Sequence, residues 1–314
     1  MRDDLRRAPA FSLYCLLAGF ALAGCVGAPP PAAESAPASP TARATTTDLD
    51  ELAADELAAL EQEYDATVGV MAVDTGTDES VSYGEDRRFG FASTIKAFAA
   101  AVFLQSVSGA ARDEIVHWTT EEAAAGHAPV TSQHVEDGLT YAQLAEAAVR
   151  VSDNAALNLI VDRIGGPAAL DDALAELGDA TTEVVNDEPT LNTIEPGSTD
   201  DTTTAAAFTT SLTRILDGST LSAADAALLV DWMSDNRTGD ALIRSGAPAG
   251  WTVADKSGGA GPIRNDIAVV TRPGQGPIII TVLTSRNDPH ADFDDTLVAS
   301  AASITLDALD RSNS

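Results

Sequence analysis

From Phe91 to Leu104 the chain is almost wholly apolar, opening with Phe91-Ala92-Ser93-Thr94-Ile95-Lys96-Ala97-Phe98, and this stretch constrains whatever packs around it. Ile95, Phe98 and Val102 recur at helical intervals with alanines between them, so the segment reads as a helix buried on nearly all sides. Ser93 and Lys96 interrupt it. Residues at i and i+3 share a helix face, which sets the amine beside the hydroxyl. The chain has only two lysines, Lys96 and Lys256, among 18 basic residues, and Ser257 follows the second directly. Arginine stays protonated in a protein, whereas a desolvated lysine can give up its proton near neutral pH and act as a base. A serine hydroxyl needs such a neighbour to become a nucleophile, and free N–H groups at a helix start favour an oxyanion there. The structural alternative makes Ser93 an N-cap and lets Lys96 snorkel to the surface.

The N-terminus is a separate matter. Arg2, Arg6 and Arg7 precede an apolar run from Phe11 to Ala23 that is too short to span a bilayer and has the length of a signal-peptide core. It ends in Leu22-Ala23-Gly24-Cys25, which resembles the bacterial lipobox, in which the cysteine is lipidated after cleavage; the alternative is a plain signal peptide. Residues 1–24 are therefore expected to be a lipoprotein signal peptide. Residues 25–47, from Cys25 through an Ala/Pro/Ser/Thr-rich stretch, are expected to be a lipidated tether without a core. Cys15 lies in the leader, so no disulfide can form in the mature chain and no cysteine-based metal site or nucleophile is available. Export to the outer face of the cytoplasmic membrane is the expected location, with part of the protein secreted.

With 48 acidic residues against 18 basic ones, a net charge of −30 and no basic stripe exclude a nucleic-acid partner. Any anionic ligand must find a local positive pocket. His117, His127, His134 and His290 show no metal-ligand spacing, and neither a metal nor another cofactor is expected.

Residues 48–314 read as one catalytic body. A first helix capped by Thr47-Asp48 carries Leu49, Leu52, Leu57 and Leu60, and strands follow at 67–73 and 80–83. Helices are expected at 141–151, 155–164, 167–177, 203–216 and 222–234, with an irregular segment at 179–202. Strands return at 252–255, 266–271 and 277–285 before a closing helix at 293–309. The fold class is α+β: an antiparallel sheet of about five strands flanked by terminal helices (48–90 and 236–314), with an inserted all-helical lobe (91–235) and a cleft between them.

Three more segments place polar residues where a cleft needs them. Ser152-Asp153-Asn154 joins two helices and reads equally as an N-cap. Glu188-Pro189-Thr190-Leu191-Asn192 lies in the irregular segment, and long irregular loops in compact domains are often functional. Asp255-Lys256-Ser257-Gly258-Gly259 ends a strand, where glycines let a backbone approach a ligand closely.

In this order and at these separations, Ser93-x-x-Lys96, Ser152-Asp153-Asn154, Glu188-x-x-Leu191-Asn192 and Lys256-Ser257-Gly258 resemble the class A serine β-lactamases. The resemblance spans roughly residues 49–309. It implies that Ser93 attacks the lactam carbonyl, that Lys96 or Glu188 (through water) takes its proton, and that Ser152 passes a proton to the departing nitrogen. It further implies that Glu188 and Asn192 hold the hydrolytic water, that Asn154 binds the substrate's side-chain amide, and that the N–H groups of Ser93 and Gly259 form the oxyanion hole. Lys256, Ser257 and Arg244 would receive the substrate carboxylate. A monomer acting on a small-molecule β-lactam is expected. The alternatives are a penicillin-binding D-alanyl-D-alanine peptidase and a lipoprotein that binds penicillin without hydrolysing it.

One position departs from the family. Many relatives have an arginine two residues before the glutamate that pairs with the aspartate at the position of Asp201; here it is Asn186. A neutral amide supplies no charge-assisted pair, so the Glu188 loop is expected to be looser. Amide exchange over residues 181–201 as slow as in the core would contradict this.

Overall fold

The structure, a computed structural model, describes residues 46–312; the leader, Cys25 and the tether as far as residue 45 lie outside the described residues. Helix α1 (Thr46–Tyr64) starts two residues before the expected body, so Thr47 and Asp48, expected as its cap, lie inside the helix. Strands β1 (Ala66–Asp74), β2 (Ser80–Tyr83) and β3 (Phe89–Gly90) follow, and a 3-10 turn (Ala92–Thr94) leads into α2 (Ile95–Ser106). Next come β4 (Ile115–Val116), β5 (Leu139–Thr140), α3 (Tyr141–Arg150), α4 (Asn154–Ile164) and α5 (Pro167–Glu176). After an irregular stretch the chain forms β6 (Thr202–Thr203), α6 (Ala205–Leu216), α7 (Ala223–Ser234) and the single turn α8 (Ile243–Gly246). It closes with β7 (Thr252–Ala260), β8 (Ile263–Thr271), β9 (Ile278–Arg286) and α9 (Asp295–Ser312).

Five strands pair in the order β2-β1-β9-β8-β7, each antiparallel to its neighbours. The two ends of the body meet in that sheet, because β1 pairs with β9 from Ala66 opposite Arg286 to Asp74 opposite Ile278. Strand alternation then sorts side chains to two faces. Val68, Val70, Ala268, Ile280 and Val282 pack with Leu49, Leu57, Leu297 and Leu306 of α1 and α9, while Ala254, Ile267, Val269 and Ile279 join the core of the helical lobe. That second core is built on α2, in which every residue from Ile95 to Leu104 is buried.

The lobe between the sheet segments is not purely helical. β4 pairs with β5, and β3 pairs with β6, tying the far end of the irregular segment to the strand just before Ser93. The largest difference from the sequence reading is β7, expected to end at Asp255 and observed to run to Ala260 with Lys256, Ser257, Gly258 and Gly259 inside it. The glycines serve close approach without ending the strand. A Cβ on Gly258 would stand 3.0 Å from Ser93 N and 2.9 Å from Thr94 N, so only a glycine lets this edge strand lie against the nucleophile's turn.

Candidate active site

Ser93 sits in the 3-10 turn before α2, and Ala92 before it takes a positive φ of 45°, which turns the chain sharply out of β3 into the helix. Neither Phe91 nor Thr94 makes a side-chain cap, and Ser93 Oγ instead meets the Lys96 amine at 2.7 Å. Lys96 is wholly buried and does not snorkel. Its Nζ lies 2.9 Å from Glu188 Oε1, donates to Asn154 Oδ1 at 2.6 Å and to the Ser152 carbonyl at 3.0 Å, and has Ser152 Oγ at 3.3 Å. An ammonium has three hydrogens, fewer than the oxygens around it, and two of those oxygens are hydroxyls able to donate instead. The site therefore suits both protonation states. Burial pushes the amine below its ordinary value, and the Glu188 charge opposes that shift.

The Ser152-Asp153-Asn154 corner is held from its centre. Asp153 is the N-cap of α4, accepting from Ala156 N, and it also accepts from Val130 N, Thr131 N and Thr131 Oγ1. The capping reading is correct for Asp153, and the cap fixes its neighbours. Ser152, at φ 58°, turns its carbonyl and hydroxyl toward Lys96. Asn154 bridges Lys96 to Glu188, to which its Nδ2 donates at 3.1 Å.

Glu188 is also buried, with Oε2 accepting from Asn192 Nδ2 at 2.6 Å and Oε1 lying 3.5 Å from Ser93 Oγ. Asn158 clamps its backbone, donating to the Glu188 carbonyl and accepting from its N–H. At the base of this loop, buried Asp201 accepts from Val185 N, Asn186 N and, at 2.6 Å, Asn186 Nδ2. Asn186 thus fills the hydrogen-bonding part of the missing arginine's place but not its charge. Asp187 next to it is pushed up by burial and by the charges of Asp162 and Asp201.

Opposite stands β7. Lys256 Nζ donates to the Ser257 carbonyl at 2.6 Å and reaches Ser152 Oγ at 3.3 Å. Full burial, with the Lys96 cation adding to it, lowers the Lys256 amine to about 7. Ser257 Oγ shares a 2.6 Å hydrogen bond with Thr238 Oγ1. Because β7 is the sheet's edge strand, alternate N–H groups face away from β8, toward the cleft.

The resulting cleft, of about 180 Å³, is lined by Ser93, Ser152, Asn154, Glu188, Asn192, Ser257, Gly258 and Gly259 together with His127, Thr238 and Arg264. Lys96 and Lys256 lie beneath it. Arg244 is the exception among the expected residues. Its guanidinium pairs with Asp240 at 2.9 Å and with buried Asp255, behind β7 and outside the cleft lining. The cleft arginine is Arg264, whose Nε pairs with Asp295 at 2.6 Å and whose guanidinium lies over the Phe293 ring. A Cβ on Gly259 would stand 3.0 Å from Arg264 Nη1, so the glycine also makes room for this guanidinium.

Residues 52–309 match the profile of the Beta-lactamase enzyme family. A β-lactamase of Bacillus licheniformis is 44% identical over 256 residues, covering 81% of this chain and 83% of that protein. The crystal structure of a class A β-lactamase from Clostridium kluyveri superposes with a TM-score of 0.79 at 40% identity over 82% of this chain and 98% of that one. A β-lactamase structure from Streptosporangium roseum gives 0.80 at 40% identity over 82% and 98%. A buried lysine bonded to a serine, a carboxylate within reach of both, and this coverage by sequence and structure lead to one conclusion: the chain belongs to the β-lactamase enzyme family, as a class A serine β-lactamase.

Proposed function

We propose a division of labour for β-lactam hydrolysis in this cleft. Ser93 Oγ attacks the lactam carbonyl carbon while its proton passes to Lys96 Nζ, the nearest base at 2.7 Å, against 3.5 Å for Glu188 Oε1. The N–H groups of Ser93 and Gly259 receive the oxyanion. The C–N bond breaks as Ser152 Oγ, between Lys96 and Lys256, hands its proton to the ring nitrogen and takes in its place the one that Lys96 received from Ser93, so both groups return to their starting state. Glu188, with Asn192 on its other oxygen, then takes a proton from water as that water attacks the ester, and as the ester C–O bond breaks Ser93 Oγ takes a proton from Lys96, which Glu188 reprotonates across their contact. Lys256, Ser257 and Arg264 hold the substrate carboxylate, Arg264 taking the role the sequence had given to Arg244. The substrate's side-chain amide carbonyl meets Asn154 in place of the Ala125 carbonyl, to which its Nδ2 donates in the free enzyme.

The observation that carries this reading is the buried contact of Lys96 Nζ with both Ser93 Oγ and Glu188 Oε1. An intact-mass time course with benzylpenicillin tests it: a transient adduct mapping to Ser93, with hydrolysed drug accumulating, is expected. A lasting adduct without turnover would instead favour a penicillin-binding protein.

The Lys256 amine gives a pH prediction. As pH rises through about 7 the free enzyme loses that positive charge, so kcat/KM for an anionic penicillin should fall toward alkaline pH. Lys256→Arg, which keeps its proton, should flatten that limb; an unchanged limb would assign it to another group.

Outside the cleft, Leu22-Ala23-Gly24-Cys25 supports lipidation of Cys25 and display of the enzyme on the outer face of the cytoplasmic membrane, with some protein secreted. Loss of membrane association in Cys25→Ala tests this assignment.

A further inference from the structure

A second opening lies at the other end of the sheet strands, and none of its lining residues belongs to the catalytic cleft. It is a cavity of about 620 Å³ between the sheet and helices α6 and α7. That is within the range of roughly 300–1,000 Å³ typical of small-molecule sites. Its walls are apolar: Val73, Val269 and Ile279 from the sheet, Leu216 from α6, and Val230 from α7. The space exists because α7 turns Leu229, Trp232 and Met233 into the core but presents only Ala226, Ala227 and Val230 here, side chains too short to reach the sheet.

The polar groups around it decide what it can take. Thr75 Oγ1 donates to the Pro277 carbonyl and Thr213 Oγ1 to the Thr209 carbonyl, so both hydroxyl hydrogens are used inside the protein. The backbone N–H groups of Thr75 and Asp78 are likewise bonded, to Pro277 O and Asp74 O. Among the described residues, the charged side chains lining the cavity are the exposed carboxylates of Asp78 and Asp217, and neither lysine nor arginine lines it, the Arg214 cation acting on Asp217 from outside the lining. Hydrogen bonds from Ser219 hold the Asp217 carboxyl below the usual range, so it stays ionised at neutral pH. The cavity thus combines apolar walls with an acceptor-only, negative rim. An apolar tail fits it, an anionic head is repelled, and a cationic donor head is matched.

We propose that this cavity is a binding site, separate from the catalytic cleft, for an apolar molecule carrying an ammonium group. Isothermal titration of the folded enzyme with decylammonium, and in parallel with decanoate, both below micelle formation, tests it. Saturable binding of the cation at one site is expected, with no binding of the carboxylate at the same concentrations. Ala226→Phe, which fills the cavity, should weaken binding by about tenfold or more. Should that variant fold poorly, the surface pair Asp78→Asn/Asp217→Asn should still weaken binding several-fold with thermal stability nearly unchanged. Acylating Glu188→Gln with benzylpenicillin occupies the catalytic cleft and should leave the decylammonium isotherm as it was. Equal binding of decanoate, undiminished binding in the well-folded variants, or loss of binding on acylation would each overturn the proposal.

Discussion

Glu188→Gln is expected to leave the enzyme acylated. The substitution keeps the size of the side chain and an oxygen for the Asn192 amide, but removes the carboxylate that deprotonates the hydrolytic water. Acylation is less affected, because the direct path from Ser93 Oγ runs to Lys96 at 2.7 Å. A positioned general base is worth about 10²–10⁴ in rate, so deacylation should slow by about three orders of magnitude. Intact mass after mixing with benzylpenicillin should show a stable stoichiometric adduct on Ser93, and steady-state turnover should collapse to a burst of about one equivalent. An adduct as short-lived as in the parent enzyme would mean that another group activates the water. A variant that never acylates would mean that Glu188 is the base for both steps, in place of the Lys96 route.

The parts of this site legible in the sequence were those set by local spacing. Ser93 and Lys96 meet because i and i+3 share a face, and Glu188 and Asn192 meet across one turn of the 3-10 segment that ends the motif. Fold class followed from hydrophobic period and from strand-rich segments at both ends of the body. What misled was glycine. Gly258 and Gly259 read as the end of a strand, whereas β7 continues through them because their bare backbones must pass close to Ser93 and Arg264. The short turn at Gly261-Pro262 then folds β8 back so that Arg264 stands opposite Gly259, a pairing that hairpin geometry implied but the motif reading did not use. Arg244 was misplaced for a related reason. Successive strand residues point to opposite faces, so Asp255 turns away from Lys256 toward α8 and carries the Arg244 guanidinium with it. Burial raises the Asp255 carboxyl, and the Arg244 cation behind the strand opposes that shift. Thr238 had no local signature; its place depends on how the segment after α7 meets β7, a long-range packing outcome.

Lys96→Met should be the most damaging single change to both chemistry and stability, and a double variant separates the two effects. Lys96 and Glu188 are both wholly buried and 2.9 Å apart. Removing one partner of such a pair typically destabilises by about 3–5 kcal/mol, because the remaining charge stays desolvated and unpaired. Glu188→Gln should show a loss that depends on pH. There Lys96 loses its anion and its already lowered amine is lowered further, so the native state binds fewer protons and stability relative to the parent rises with pH toward the ordinary lysine range. The double variant Lys96→Met/Glu188→Gln leaves no buried charge of this pair and should recover most of the loss, by analogy with buried pairs whose replacement is neutral. Denaturant unfolding of the four proteins at pH 5, 7 and 9 measures this. A flat pH slope in Glu188→Gln, or additive losses in the double, would show that the pair is not coupled. Acylation should meanwhile drop by about 10²–10⁴ in both proteins that carry the Lys96→Met substitution, whatever their stability, because the base that serves Ser93 is gone.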